Sequence, residues 1–271
     1  MSTWLRPRPF PALAAACLVA LLAGCASQGP APGPERRDAK PGSDQPDPDR
    51  RARVRLELAS AYFGRGQAAT ALDEVKLALA VKPDMPEALN LRGLILASLG
   101  DRKGAEDSFQ RALQVKPGDP DSTHNYGWFL CQNGRYPEAE AQFQAVLAQP
   151  QYPDAVRTLL AQGACQARAG RWLDAERSLS RSYELDPANP ATAYNLSDVL
   201  YRRGEYERAR FYIRRVNSQP ELSNAQSLWL AARIERRMGS SASFDDLARQ
   251  LRDRYPQSPE ALALERGRFD D

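Results

Sequence analysis

The chain has 271 residues, 42% hydrophobic, 26% charged and 8% aromatic, which excludes a polytopic membrane protein at one extreme and a disordered chain at the other. Its 37 basic residues against 34 acidic ones leave a net charge of +3, and removing Arg6 and Arg8 with the leader described next would take this to +1. A nucleic-acid partner, which calls for a clear basic excess, is therefore not expected. The single histidine, His124, excludes multi-histidine metal sites.

Residues 1–24 read as a signal peptide. Arg6 and Arg8 form a basic start, and Ala12 to Leu22 is an apolar run too short to span a bilayer comfortably. The run ends in Leu22-Ala23-Gly24-Cys25, which resembles the bacterial lipobox, with Cys25 as the lipidated residue. Several acyl chains on Cys25 would anchor the protein stably, at about 0.8 kcal/mol per buried CH₂. Ala26 follows the cysteine. By resemblance to lipoprotein sorting in Gram-negative bacteria, the lack of an aspartate there implies the periplasmic face of the outer membrane. Residues 25–50 hold six prolines, many charges and almost nothing apolar, and read as a tether.

From residue 51 the sequence repeats. Gly66, Gly100, Gly134, Gly170, Gly204 and Gly239 are spaced 34, 34, 36, 34 and 35 apart. A small residue stands seven before each glycine: Ala59, Gly93, Gly127, Gly163, Ser197 and Ala232. Alanine stands five after the first five, and Pro83, Pro117, Pro187 and Pro256 close four units. Physically, the small residue admits a second helix, the glycine makes the turn, and the proline ends the second helix. This pattern resembles the tetratricopeptide repeat. It predicts an all-α, right-handed superhelical solenoid over 51–264, with units at about 52–85, 86–119, 120–153, 156–189, 190–223 and 225–258. A capping helix begins at Pro259, and 265–271 form a tail. Gln151 replaces the third closing proline, Asp154 and Ala155 are inserted before unit four, and Phe244 replaces the sixth alanine.

In such a stack the first helix of each unit lines the concave wall. Inward positions are Leu56, Ser60 and Phe63 in unit one, Asn90, Leu94 and Ala97 in unit two, and His124, Trp128 and Cys131 in unit three. Leu160, Tyr194, Asp198, Tyr201, Trp229, Arg233 and Arg236 follow. Leu56, Phe63, Leu94 and Trp128 would make an apolar stripe, and exposed apolar surface of that kind marks binding. The expected protein-binding groove is Leu56, Phe63, Asn90, Leu94, His124, Trp128, Tyr194 and Tyr201.

No Walker loop, HExxH, GxSxG or CxxC pair occurs. No catalytic residue, cofactor, metal ligand or small-molecule substrate is expected, and His124 reads as a hydrogen-bonding contact. Cys131 and Cys165 are expected to stay as separate thiols, because neighbouring helix axes lie about 8–10 Å apart while a disulfide wants Cα atoms within about 7 Å, and because the two positions differ in angular phase.

A finer resemblance rests on particular stretches. His124-Asn125-Tyr126-Gly127-Trp128-Phe129-Leu130-Cys131, running on through Asn133 to Ala139, is similar to the third repeat of the type IV pilus biogenesis lipoproteins of the PilF/PilW kind. The interrupted join Tyr152-Pro153, the run Ala193 to Arg210, and Leu251 to Pro256 match the same pattern. The resemblance implies a pilotin, monomeric on its own, that binds subunits of the pilus secretin and brings them to the outer membrane to multimerise. Two other roles for a lipidated repeat protein are a scaffold for cell-wall enzymes and a component of outer-membrane protein assembly.

Overall fold

The computed structural model describes residues 47–150 and 152–269. These form thirteen α-helices and no strand. Six antiparallel pairs follow one another: α1 (Pro48–Gly64) with α2 (Ala68–Val81), α3 (Pro86–Ser98) with α4 (Arg102–Val115), and α5 (Pro120–Gln132) with α6 (Tyr136–Leu147). Then come α7 (Ala155–Arg168) with α8 (Trp172–Leu185), α9 (Pro190–Arg202) with α10 (Tyr206–Asn217), and α11 (Ala225–Arg237) with α12 (Ser241–Arg254). A short α13 (Pro259–Glu265) packs on α11 and α12. The signal peptide, Cys25, Gln151 and most of the tether lie outside the described residues.

The first helix starts three residues before the expected boundary at 51. Asp47 accepts a hydrogen bond from the Asp49 amide and Pro48 occupies the first helical position, so the last tether proline is a helix start. Asp119, Asn189 and Ser258 use the same device before Pro120, Pro190 and Pro259.

Every pair turns in one way. At the first, Gly66 has φ +75°, the Gln67 amide donates to the Tyr62 carbonyl at 3.0 Å, and the Gly66 amide donates to the Phe63 carbonyl at 2.9 Å. That is a Schellman close, which uses two orphan carbonyls of the first helix and needs a left-handed residue. The other five turn glycines also have positive φ, and an equivalent long bond runs from the residue after each.

The small residues seven before the turn are packing sites. A Cβ at Gly93 would fall 2.7 Å from the fully buried Phe109 ring, and one at Gly163 would fall 2.5 Å from Leu179. The partner stands sixteen residues later in every unit, and its size answers the first: Ala59 with Val75, Gly93 with Phe109, Gly127 with Phe143, Gly163 with Leu179, Ser197 with Ile213 and Ala232 with Ala248. Glycine takes phenylalanine or leucine, serine takes isoleucine, and alanine takes valine or alanine, as a close-packed interior requires.

Most joins between helices are three or four residues, but 148–154 and 218–224 are seven. Ala155 is the first residue of α7, so the insertion before unit four lengthens a join and is partly absorbed into helix. Phe244, in the place of the sixth alanine, is half-buried and packs against Phe269 with ring centroids 5.7 Å apart.

The expectation of two separate thiols is corrected. Cys131 on α5 and Cys165 on α7 form a disulfide, with Cα atoms 5.8 Å apart and both residues almost fully buried. Axis spacing was the wrong measure, because Cα atoms on facing sides of packed helices approach more closely than the axes do. Units three and four are offset by 36, so the true equivalent of Cys131 is Ala167. Cys165 lies two residues earlier, roughly 200° round the helix, and so faces back toward Cys131.

Candidate binding surfaces

On the concave wall α5, α7 and α9 run side by side. An open pocket of about 700 Å³ lies there, with Trp128, Leu160, Ala161, Ala164 and Trp172 on its apolar side. Arg157, Arg168 and Arg202 line it too, with Asp198 as the carboxylate among the lining residues. Arg168 lies over the Trp128 ring at 5.1 Å and Arg202 over the Trp172 ring at 5.4 Å. Arg202 also donates to Asp198 at 2.9 Å. Toward the first units an amide ladder continues the wall. Asn125 donates to Asn90 at 3.2 Å and accepts from Arg157 at 3.4 Å.

His124 sits at the pocket edge but is 6% exposed. Its Nδ1 is 2.8 Å from the Thr158 hydroxyl, which lies 2.8 Å from the Tyr152 hydroxyl, so the three side chains tie unit three to the lengthened join. Burial, helped by the nearby Arg157 charge, pushes the imidazole pKa down to about 4. The folded state thus resists a proton that the unfolded chain accepts near pH 6.5. Stability is fully present above that pH and is lost as pH falls toward 4. Urea unfolding at pH 7 and pH 4.5 should differ by about 2 kcal/mol from this group, and His124→Gln should lose that part of the slope. An unchanged slope in the variant would assign the effect to carboxylates instead.

A second concave surface lies on the outer end of unit one, between α1 and α2. It has a volume of about 740 Å³ and is lined by Val54, Leu58, Leu77 and Val81 with Arg50, Arg51 and Arg55 at its rim. Val54 is 47% exposed, Leu58 39% and Leu77 46%. The residues in the place of Val54 in the later units are Ala88, Ser122, Thr158, Thr192 and Ser227, and every one of them is fully buried. In those units this face receives the unit before it; Thr192 meets Ser182 of α8 at 3.1 Å, and Ser227 meets Asn217 of α10 at 2.6 Å. Among the described residues, unit one therefore presents an unfilled stacking face shaped for a helix.

The expected groove residues divide between these settings. His124 and Trp128 line the central pocket, and Asn90 adjoins it through Asn125. Leu56 and Phe63 are half-buried against the Ala59 and Val75 core, and Leu94 against the Phe109 core. The stripe they were expected to form is thus largely turned into packing. Tyr194 is half-buried, with its hydroxyl pKa pushed up by burial. Tyr201 is 7% exposed with Arg233 over its ring at 4.5 Å, so it is a core residue and not an exposed groove contact. Trp172, Arg168 and Arg202 escaped the sequence reading because they stand at helix ends outside the inward register. Val54, Leu58 and Leu77 escaped it because it considered only the inner wall.

Family models described as tetratricopeptide repeat match residues 96–163 and 166–234, and a second such model matches 56–120. The chain belongs to the tetratricopeptide repeat family. Among solved structures, this repeat protein is similar to PilW, described as a widely conserved type IV pilus biogenesis factor. The identity is 29% and the TM-score 0.74, over 79% of this chain and 97% of that one. It also shares its fold with Pseudomonas aeruginosa PilF at 23% identity and TM-score 0.71, over 82% and 99% of the two chains. YrrB, a tetratricopeptide repeat protein with an unusual peptide-binding site, has the same fold at 15% identity and TM-score 0.55, over 71% and 97%. No curated protein matches the chain.

Proposed function

We propose that this repeat protein is an outer-membrane lipoprotein that binds subunits of the type IV pilus secretin and promotes their localisation and multimerisation. The observation that carries the reading is the similarity to PilW, a pilus biogenesis factor, over nearly the whole of that chain. The lipobox-like Leu22 to Cys25 supports the membrane address. The Cys131–Cys165 bond is in keeping with an oxidising compartment such as the periplasm. The protein has no chemistry to perform in this role. It supplies a rigid surface and an anchor, and the open stacking face of unit one is the preferred secretin contact because it exposes large aliphatic side chains beside an arginine rim.

The test is deletion of the gene followed by blotting unboiled outer membranes for the pilus secretin. The high-mass, detergent-resistant ring should disappear, return with the wild-type gene, and fail to return with Cys25→Ser. An unchanged ring in the deletion strain would overturn the reading and favour a cell-wall scaffold.

A further inference from the structure

The outer wall of the solenoid is made by the second helix of each pair, and one of those helices is unlike the rest. α10 carries Arg208, Arg210, Arg214 and Arg215 against Glu207, whereas no other second helix has a basic excess greater than one. Ala209, Ile213 and Val216 are its buried side, which leaves Arg208, Phe211, Arg214 and Arg215 facing outward. Seven residues after the turn glycines stand Asp73, Asp107, Ala141, Arg177, Phe211 and Asp246, so the aromatic ring breaks a polar or small register. Tyr212 meets the Phe211 ring edge-on at 5.1 Å and meets Tyr183 of α8 at 5.0 Å, which props the exposed ring outward. Carboxylates pair with these arginines mostly from behind. Arg214 donates to Glu235 at 3.0 Å and Arg208 pairs with Glu176 at 2.7 Å, and the two acids are 3% and 15% exposed. Arg208 also pairs with Glu205, and Arg210 with Glu207. Arg215 lies over the Tyr183 ring at 5.9 Å and has no carboxylate at ion-pair distance among the described residues.

We infer that the outer side of α10 is a docking face for an anionic phospholipid surface, with Phe211 entering the headgroup layer and Arg208, Arg214 and Arg215 on lipid phosphates. Guanidinium groups match phosphate oxygens in a two-pronged way, and an open depression of about 520 Å³ bounded by Phe211, Arg210, Arg214 and Arg215 gives a headgroup room. The face suits a bilayer better than an acidic protein. Its outward side offers one apolar side chain, too little for the apolar centre of a stable protein interface. A bilayer, in contrast, rewards a single inserted ring and adds a contribution for every basic side chain brought near it. The inference rests on the membrane address of the reading above and not on the secretin. A lipid on Cys25 and the 22 residues 25–46, reaching up to about 70 Å when extended, would hold the solenoid at high effective concentration near the bilayer, so a weak contact suffices to orient it. Because the lipid carries the address, losing this contact should leave secretin assembly unchanged.

The test places the lipidated full chain in vesicles of phosphatidylglycerol and phosphatidylcholine with brominated acyl chains, which quench a tryptophan docked at the surface. Phe211→Trp adds a reporter at the face, and Asp107→Trp adds one at the same register position of unit two. After subtraction of the wild-type emission, the tryptophan at 211 should lose at least about half of its signal, since a docked ring sits about 5–10 Å into the headgroup boundary. The tryptophan at 107 should keep its signal. Raising salt or using phosphatidylcholine alone should relieve the quenching. Adding Arg214→Gln and Arg215→Gln should lower the docked fraction relative to the lifted one by about thirtyfold; Glu235 keeps Arg210, and circular dichroism checks the fold. Equal quenching at 107 and 211, equal quenching in neutral vesicles, or none at 211 would each overturn the inference. So would protection of the tryptophan at 211 by soluble polyglutamate in the absence of quenching, which would give the face to an acidic protein. Mass spectrometry of the Cys25 peptide reports the lipid separately, and the secretin blot reports the ring separately, so either part of the earlier reading can fail without being mistaken for a failure here.

Discussion

Replacing both Cys131 and Cys165 with serine should lower the unfolding free energy by about 3–4 kcal/mol, the entropy of releasing a 34-residue loop in the unfolded chain. The bond joins α5 to α7 beneath the pocket wall, at the place where the regular repeat is interrupted by a seven-residue join. A loss there acts on the unfolded ensemble, so helical content at low urea should be unchanged. The check is urea unfolding by circular dichroism, with and without reductant. The reduced wild-type protein should fall to the midpoint of the double variant, and reductant should not move the variant. Coincident midpoints for oxidised wild type and variant would mean that packing between units three and four alone holds the joint.

The second large effect is on assembly. Val54→Asp with Leu58→Asp should abolish the detergent-resistant secretin ring while leaving the solenoid folded. Both side chains are more than a third exposed in the free protein, so the folded state loses little. A helix seated on the face would cover both, and each half-buried aliphatic is worth about 1 kcal/mol on full burial. With the added cost of desolvating two carboxylates, binding should weaken by about 100-fold or more. Phe211→Asp is the matched control. Phe211 is 56% exposed on α10, far along the stack, and its replacement should leave the ring intact. Rings lost with the control but retained with the pair would move the contact to the last units.

The unit count, the turns and the small-residue packing sites were legible because each rests on a local rule. A Schellman close demands a left-handed residue, so Gly66 and its equivalents mark the turns without reference to the rest of the chain. The disulfide was not legible from the same marks. It depends on Cys165 falling two residues short of the register of Cys131, a difference in angular phase that reads as separation along one helix but on facing helices turns Cys165 back toward Cys131. The candidate sites were harder for a related reason. Reading inward positions found Trp128 but could not show that Leu56 and Phe63 are taken up by packing. Trp172 begins the second helix of its unit, and its role emerges only when Arg202 of the next unit lies over its ring. Val54 reads as an unremarkable aliphatic until the buried residues in its place in the later units show what that face normally receives.

The sixteen-residue spacing between each small residue and its partner bears on how the molecule is made. The two halves of every packing contact are close along the chain, so the entropy of loop closure is low and no unit must wait for a distant segment. A unit can form its helix pair as soon as its own thirty-odd residues are available, starting from the N-terminal end. Each completed pair then offers a stacking surface to the next. The joint between units three and four is the exception, since its cross-link requires both units and an oxidant. Folding that is otherwise sequential should therefore show one slow covalent step in the middle of the stack, after the first three units have already formed.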